Sequence, residues 1–242
     1  MFNFQIVFDN FDLYINGFFV TIHLTALSLL IGFALSLPLA LIRHRNVPVL
    51  NQLVFTYTYF FRGTPLLIQM YLIYYGMGQF EAVRESFLWY FFKEAYFCGL
   101  FAFVLNTTAY TTEIIKGALD TIDKREVEAA VAFGLSKVQA YARIVIPNAL
   151  RRSLPPYSNE VIFMFHASAL ASVITITDLT SAARYLYSKY YDPFTPFIIA
   201  ALFYLGIVFL IVMMFKFLEH KFLAFLGRPE DRKKLFPKNV GK

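Results

Sequence analysis

The sequence contains little charge and almost no cysteine. Only 16% of its 242 residues are charged, whereas 58% are hydrophobic and 19% are aromatic, a composition unusual for a soluble domain. The single cysteine, Cys98, lies in an apolar run, so an intrachain disulfide is impossible and the spacing of a metal site is missing. We therefore expect a membrane protein that has neither a disulfide nor a metal.

The motifs of nucleotide hydrolysis and of common hydrolases are also missing. No P-loop glycine string occurs, so the chain has no visible means of binding ATP, and neither HExxH nor GxSxG is present. The net charge of +6 could suggest a nucleic-acid partner, but the basic residues stand beside apolar runs, as the positive-inside rule describes. We predict a chain that is not an enzyme, binds no nucleic acid and contacts membrane lipid.

What the sequence does contain is a series of long uncharged runs. An apolar run of about 18 residues or more can cross a hydrocarbon core of about 30 Å. We predict five transmembrane helices, at about residues 18–41, 54–77, 95–115, 154–176 and 197–217. Basic residues 43–45 and the basic C-terminal tail place the N-terminus outside and the C-terminus in the cytoplasm, with exterior connections at 81–94 and 177–192. Residues 1–242 then form one all-α transmembrane domain.

One polar stretch, about residues 120–150, interrupts the apolar chain, and we call it the polar segment. Its alanines predict a helix over residues 126–133, and Gly134 can adopt the left-handed backbone that ends such a helix. Ser136 can cap a second helix, which Pro147 would end or kink. The prediction is a cytoplasmic helix-turn-helix whose first helix presents small side chains to a partner.

The polar segment also follows a fixed spacing: Glu128-Ala129-Ala130, three residues, Gly134, nine residues, Ile144, one residue, then Ile146-Pro147. This string resembles the cytoplasmic EAA loop of ABC importer membrane subunits, whose consensus has leucine at the position of Ile146. The resemblance implies coupling to ATP-hydrolysing subunits through Glu128, Ala129, Ala130 and Gly134. The alternative is a solvated amphipathic loop of another kind of membrane protein.

Three further stretches resemble permeases for polar amino acids: Arg62-Gly-Thr-Pro-Leu-Leu-Ile-Gln69, Asn106-Thr-Thr-Ala-Tyr110, and Ser158-Asn-Glu-Val-Ile162 followed by His166-Ala-Ser-Ala-Leu170. The last of these is most similar to the M-type subunit of histidine/lysine/arginine/ornithine importers. The chain departs from the family at residues 125–126, where Arg-Glu replaces the usual Gly-Gln. That change leaves the EAA spacing intact.

The resemblance implies an ATP-driven importer of basic amino acids in the inner (plasma) membrane of a bacterium. This chain would form half of the translocation pathway, and a homologous Q-type permease or a second copy would form the other half. Two ATP-binding cassette subunits would bind ATP and Mg²⁺, so we expect no cofactor in this chain. An external, periplasmic solute-binding protein would deliver the substrate.

Glu160 is the main candidate for substrate binding. A carboxylate inside a membrane segment costs several kcal/mol unless it meets water, a cation or a polar partner. Ser158 and Asn159 beside it are also polar, which predicts a helix that faces a hydrated cavity. Glu160 and Asn159 could bind the cationic group of an amino acid, and the alternative is an interhelical hydrogen bond without substrate contact.

Thr64, Gln69 and His166 are weaker candidates. The Gly-Thr-Pro break before Gln69 would point the start of a half-helix, with its positive dipole end, at a substrate carboxylate, or it would be a kink needed for packing only. His166 could line the cavity or satisfy a backbone group. Glu113 and Lys116 lie one helical turn apart, so we predict a local ion pair between them.

Three competing functions are compatible with a polytopic membrane chain. An ion-coupled secondary amino-acid transporter would also place a carboxylate in a span, but it does not need an EAA loop. An intramembrane enzyme would need a nucleophile–base or metal arrangement, and none is visible. A receptor or scaffold function would not explain the EAA spacing.

Overall fold

A computed structural model describes residues 4–223, which are almost entirely helical and contain no β-strand. The predicted basic tail beyond Leu223 lies outside the described residues. The helices are α1 (Phe4–Asp9), α2 (Phe11–His44), α3 (Leu50–Gly63), α4 (Leu66–Tyr71), α5 (Glu81–Arg84), α6 (Trp89–Phe92), α7 (Ala95–Asp120), α8 (Lys124–Ala132), α9 (Lys137–Ala140), α10 (Ile146–Ala167), α11 (Leu179–Tyr190) and α12 (Thr195–Leu223). Two short segments follow α4, the π-helical turn Leu72–Gly76 and the 3₁₀ segment Met77–Gln79. The π-helical turn Tyr141–Val145 joins α9 to α10, and the 3₁₀ segment Ser168–Ile174 follows α10.

The bundle is organised around α2 and α7, which make the most extensive helix–helix contact in the described chain. The side of α2 that faces its neighbours is built from small residues three or four positions apart, including Thr21, Thr25, Ser28, Gly32, Ser36 and Ala40, all buried. A Cβ atom on Gly32 would collide with the Thr107 methyl group of α7. Small side chains therefore allow the two backbones to approach closely, as in other membrane helix pairs.

The predicted second span is interrupted at the position of its Gly-Thr-Pro sequence. Helix α3 ends at Gly63, the backbone is extended at Thr64 and Pro65, and α4 begins at Leu66. Proline cannot donate a backbone hydrogen bond, so it cannot continue α3 but can precede a new helix. The structure therefore confirms a break inside this span.

The predicted connection at residues 177–192 contains a helix, α11, which its composition did not reveal. Asp178 caps this helix by accepting a hydrogen bond from the backbone N–H of Ser181 at 2.9 Å. Leu179, Ala183 and Leu186 are fully buried against α2 and α12. The apolar residues recur at helical spacing, and this periodicity decides the local structure although the segment is polar on average.

By length and hydropathy, two of the described helices can each cross a membrane. These are α2, with a mean hydropathy of 2.2, and α12, with 2.9. Residues Lys137–Ile174 and Leu179–Tyr190, which meet at an angle of 47°, would add a third span if they are counted as one broken crossing. Helix α7 is long enough, but its buried polar residues and the charged residues near its C-terminal end lower its hydropathy.

Candidate functional site

The polar segment folds into a helix, a glycine turn and a second helical stretch. Asp123 caps α8 by accepting a hydrogen bond from the backbone N–H of Arg125 at 2.9 Å. Gly134 has a φ of 89°, the left-handed conformation predicted for it. Ser136 starts α9 with a reciprocal capping box, in which Ser136 and Gln139 bond each other's backbone N–H groups.

We had predicted that Pro147 would end or kink this second stretch, and the structure shows that the stretch does not end there. Helix α9 continues through the π-helical turn Tyr141–Val145 into α10, which begins at Ile146. Pro147 therefore lies in the first turn of α10. A proline is accepted there because its missing N–H and fixed φ are compatible with the start of a helix.

The four predicted coupling residues do not face the same way. Glu128, Ala129 and Gly134 are exposed, whereas Ala130 is 5% exposed and is turned towards the rest of the chain. Ala130 lies three positions after Val127, which packs against the buried cluster at the ends of α2, α7 and α10. Residues at this spacing share a helix face, so Ala130 packs inside the chain.

Two exposed apolar residues near the turn were missed by sequence reasoning. Phe133 is 91% exposed and Val138 is 73% exposed, and they flank Gly134 on either side. Because both lie close to the exposed turn at Gly134, they belong to the surface that this turn would present to a partner. Their presence in an otherwise hydrophilic stretch was the signal that could have identified them.

Glu160 lies on α10 and is buried at the contact with α7. Its Oε1 accepts a hydrogen bond from the hydroxyl of Thr107 at 2.9 Å. No Lys, Arg or His of the described residues forms an ion pair with this carboxylate. Arg62 interacts favourably with this carboxylate by its charge, and its guanidinium lies over the ring of Tyr110, 5.4 Å from the ring centroid.

Asn159 and His166 lie on a neighbouring face of α10 and are exposed in the isolated chain. Phe163, between them, is also exposed, and the three positions follow the i, i+4, i+7 pattern of one helix face. This face borders the buried position of Glu160. The structure thus places two of the predicted substrate residues on an open face and the carboxylate just behind it.

Gln69 and Thr64 bond to each other across the break between α3 and α4. The amide nitrogen of buried Gln69 donates to the carbonyl oxygens of Phe61 and Thr64 at 2.8 and 3.0 Å, and to the Thr64 hydroxyl at 2.8 Å. Its amide oxygen accepts from Asn106 at 3.0 Å. The side chain of Gln69 therefore satisfies carbonyl groups at the break, which is compatible with the packing role that we had given as the alternative.

The predicted ion pair between Glu113 and Lys116 is wrong. Glu113 instead accepts from Arg43 of α2 at 3.1 Å and from Thr58 of α3 at 2.9 Å. Lys116 pairs with Asp120 at 2.7 Å. Lys116 pairs with the carboxylate four positions later in its own helix. Glu113 pairs with Arg43 of a neighbouring helix, and only tertiary packing brings these two residues close together.

Comparison with protein-family models shows a match to the family described as binding-protein-dependent transport system inner membrane component, over residues 28–223. Similar curated proteins include the nopaline transport system permease protein NocM of Agrobacterium fabrum, 42% identical over 86% of each chain. The histidine/lysine/arginine/ornithine transport system permease protein HisM of Escherichia coli K12 is 42% identical over 86% of this chain and 87% of its own. The arginine ABC transporter permease protein ArtM of Haemophilus influenzae is 42% identical over 87% and 92%, respectively.

Solved structures show the same relationship. A crystal structure of an amino acid ABC transporter with histidines matches with a TM-score of 0.80 and 31% identity, covering 91% of this chain and 99% of the other. An inward-facing structure of the methionine ABC transporter MetNI, at 17% identity and a TM-score of 0.71, shares the fold. These relatives are transport permeases, and the protein is a membrane transport subunit rather than an enzyme. The chain belongs to the family of binding-protein-dependent transport system inner membrane components.

Proposed function

We propose that this permease subunit of an amino acid ABC importer carries basic amino acids, with Glu160 at the substrate pathway. The observation on which this rests is a buried carboxylate with one hydrogen bond, from Thr107, and no ion pair in the described chain. A desolvated carboxylate is strongly stabilised by a cation, so a guanidinium or ammonium group of the substrate is a fitting partner. The names of HisM and ArtM, which refer to histidine, lysine, arginine and ornithine, support this substrate class.

The pathway is completed by a second permease, either a Q-type homologue or a copy of this chain. Asn159 and His166 support this, because they lie on a face of α10 that the isolated chain leaves open. A second subunit against that face encloses a cavity next to Glu160. Asn159 and His166 then contribute polar groups to it, whereas the hydroxyl of Thr64 and the amide of Gln69 are bonded within the chain and hold the α3–α4 break.

The membrane topology proposed here has five spans in one permease domain, residues 1–242, in the bacterial inner membrane. The N-terminus lies outside, and the polar segment and the C-terminus lie in the cytoplasm. Helices α2 and α12 are two of the spans, and the α3–α4 pair, α7 and α10 are the others. Buried polar contacts, such as those of Gln69 and Glu160, allow the less apolar helices to reside in a bilayer.

Two ATP-binding cassette subunits bind ATP and Mg²⁺ and supply the energy, and an external solute-binding protein supplies the amino acid. Helix α8 docks into an ATPase subunit through Glu128, Ala129 and the turn at Gly134, together with exposed Phe133 and Val138. Closure of the two ATPase subunits moves α8, and the bundle alternates between outward and inward access. A state change of this kind requires contacts that differ between the states.

The test is purification of the tagged chain from its native membrane with its companions. ATPase subunits should co-purify with the wild-type chain, and Glu128→Lys should lower ATP-driven arginine uptake by about tenfold or more because it reverses a charge in the docking surface. Uptake is measured with radiolabelled arginine in proteoliposomes, and companions are identified by mass spectrometry.

Glu85→Lys is the matched control, because it makes the same charge change at an exposed position on the predicted outer side. Normal uptake by Glu128→Lys would contradict the docking role. A wild-type chain that purifies without ATPase subunits and transports in response to a cation gradient would instead support the ion-coupled alternative.

A further inference from the structure

One charged residue of α8 contacts α10. The Oε2 atom of Glu126 accepts a hydrogen bond from the side-chain amide of Asn148 at 3.3 Å. Its Oε1 atom lies 3.9 Å from the Nη2 atom of Arg152. Asn148 and Arg152 are one turn apart on α10 and therefore face the same direction. Two side chains of α10 therefore contact the first turn of α8.

Arg152 also holds the end of α7. Its Nη1 atom donates to the carbonyl oxygen of Thr121 at 3.1 Å and lies 3.4 Å from the Thr121 hydroxyl. Thr121 directly follows the last residue of α7 and lies three positions before α8 begins. The guanidinium therefore contacts both sides of the α7–α8 connection, and its planar donor geometry suits several acceptors at once.

The other charged residues of α8 do not make such contacts. Among the described residues, the side chains of Lys124, Arg125 and Glu128 form no hydrogen bond or ion pair. They are exposed to solvent, whereas Glu126 is half-buried beneath α10. Glu126 therefore places a carboxylate at the point where α8 contacts α10.

Helix α10 continues from this contact to the substrate candidate. Glu160 lies eight residues after Arg152, about 12 Å further along the helix axis. Pro155 and Pro156 lie between the two, and proline removes hydrogen bonds from the helical ladder and permits bending at that point. A displacement of Arg152 therefore reaches Glu160 through about two turns of helix, which contain the two prolines.

We propose that Glu126, Asn148 and Arg152 form a polar bridge that transmits the movement of α8 to the part of α10 that carries Glu160. The proposal rests on the coupling function given above and adds positioning residues that the EAA spacing does not include. Each contact is weak alone, but together they bind α8 to α10 and to the end of α7. Without the polar bridge, α8 can still dock on an ATPase subunit but moves α10 less.

The experiment uses the complete importer, reconstituted with its ATPase and solute-binding subunits. For each variant, ATP hydrolysis and arginine uptake are measured in the same proteoliposomes, and the ratio of ATP hydrolysed to arginine imported is the readout. Glu126→Ala, Arg152→Ala and Asn148→Leu should each raise this ratio by about threefold or more, since removing a coupling contact costs part of the energy transmitted. The ATPase subunits should still co-purify with each variant.

Lys124→Ala is the matched control, because it removes a charge from the same helix at an exposed position without a side-chain contact, and it should leave the ratio unchanged. Glu126→Ala combined with Arg152→Ala should raise the ratio by less than the product of the two single effects, because the two variants share the loss of one contact, although each also removes a contact of its own.

The outcomes distinguish a failure of the polar bridge from a failure of the coupling function. An unchanged ratio in Glu126→Ala and Asn148→Leu, in importers that retain their ATPase subunits and still take up arginine, overturns the polar bridge alone. Independent, multiplying effects of the two alanine variants also overturn it. A wild-type chain without ATPase companions overturns the coupling function and the polar bridge together. If Arg152→Ala fails to assemble, Glu126→Ala and Asn148→Leu decide the question, because both change half-exposed side chains.

Discussion

At the residue scale, the main feature of Glu160 is that it is buried with a hydrogen-bond partner but without an ion-pair partner among the described residues. The hydroxyl of Thr107 satisfies one of its oxygen atoms, and no cation of the described residues pairs with it. A buried carboxylate that is only partly satisfied is costly, and a cationic ligand offsets this cost when it arrives. The same side chain can therefore be tolerated in the resting chain and serve in substrate binding.

Glu160→Gln should weaken uptake of arginine and lysine selectively. The amide keeps the size of the side chain and a carbonyl oxygen that can accept from Thr107, but it lacks the negative charge. We expect arginine uptake to fall by about tenfold relative to a neutral amino acid, since a hydrogen bond to a charged group contributes about 1.5–3 kcal/mol. The measurement is competitive uptake of arginine and a neutral amino acid by the assembled importer.

Glu113→Gln is the control for this prediction. It also neutralises a carboxylate inside the bundle, but its partners Arg43 and Thr58 belong to the chain itself. It should reduce stability without changing the preference for arginine. An unchanged preference in Glu160→Gln would assign that residue to the interhelical hydrogen bond only.

At the element scale, α2 is defined by the close approaches that its small residues allow. Gly17 lies directly against the backbone at the start of α11: a Cβ atom there would be 2.7 Å from the carbonyl oxygen of Asp178 and 2.9 Å from the Cα of Leu179. Backbone atoms cannot rotate away as a side chain can. The position of α11 on α2 therefore depends on the absence of a side chain at residue 17.

Gly17→Ala should destabilise the protein although alanine favours helices. Overpacking of this kind costs about 1–3 kcal/mol, more than the gain of about 1 kcal/mol from replacing a helical glycine. We expect a lower apparent melting temperature of the detergent-solubilised chain, measured by intrinsic fluorescence or by size-exclusion chromatography after heating.

Gly117→Ala, in α7, provides the comparison, because a Cβ atom at Gly117 has no neighbour within 4 Å. That variant should be neutral or slightly more stable. Equal melting temperatures for Gly17→Ala and the wild-type chain would show that α11 can move away from α2 without cost.

At the scale of the whole molecule, the chain presents surfaces that it does not cover by itself. Exposed apolar residues line the outside of α12, and others flank the turn of the polar segment. The first kind is expected where lipid surrounds a helix, and the second where a protein partner binds. These two kinds of surface are compatible with the bilayer and the companion subunits proposed above.

The proposed orientation can be measured with introduced cysteines. Native Cys98 is fully buried and should not react, so Glu85→Cys and Lys137→Cys can each be read as a single reactive site. Both positions are exposed and lie on opposite predicted sides of the membrane. A membrane-impermeant maleimide should label Glu85→Cys in spheroplasts and should label Lys137→Cys only after permeabilisation.

Labelling of Lys137→Cys in sealed spheroplasts would reverse the orientation. Failure of both sites to react, with normal reaction after solubilisation, would place residues 81–94 inside the assembly instead of on its outer side. Either result would contradict the proposed topology without affecting the family to which the chain belongs.

The sequence by itself determined the helical class, the membrane environment and the family, because hydropathy, helix-ending residues and the EAA spacing are local properties. Gly134, Ser136 and the break before Leu66 are examples: each follows from the intrinsic backbone preferences of a few adjacent residues. Glu160 also stood out, since a carboxylate in an apolar run is conspicuous without any coordinates.

Only the tertiary structure decided which partner each polar group has and which way each side chain faces. Arg43 pairs with Glu113, which lies 70 positions later in the sequence. The side chain of Gln69 bonds the carbonyl oxygen of Phe61 near the end of α3, and Ala130 is buried. These outcomes depend on how helices meet, and a residue with several possible partners takes the one that packing brings within hydrogen-bonding distance. Local spacing contains no information about that choice.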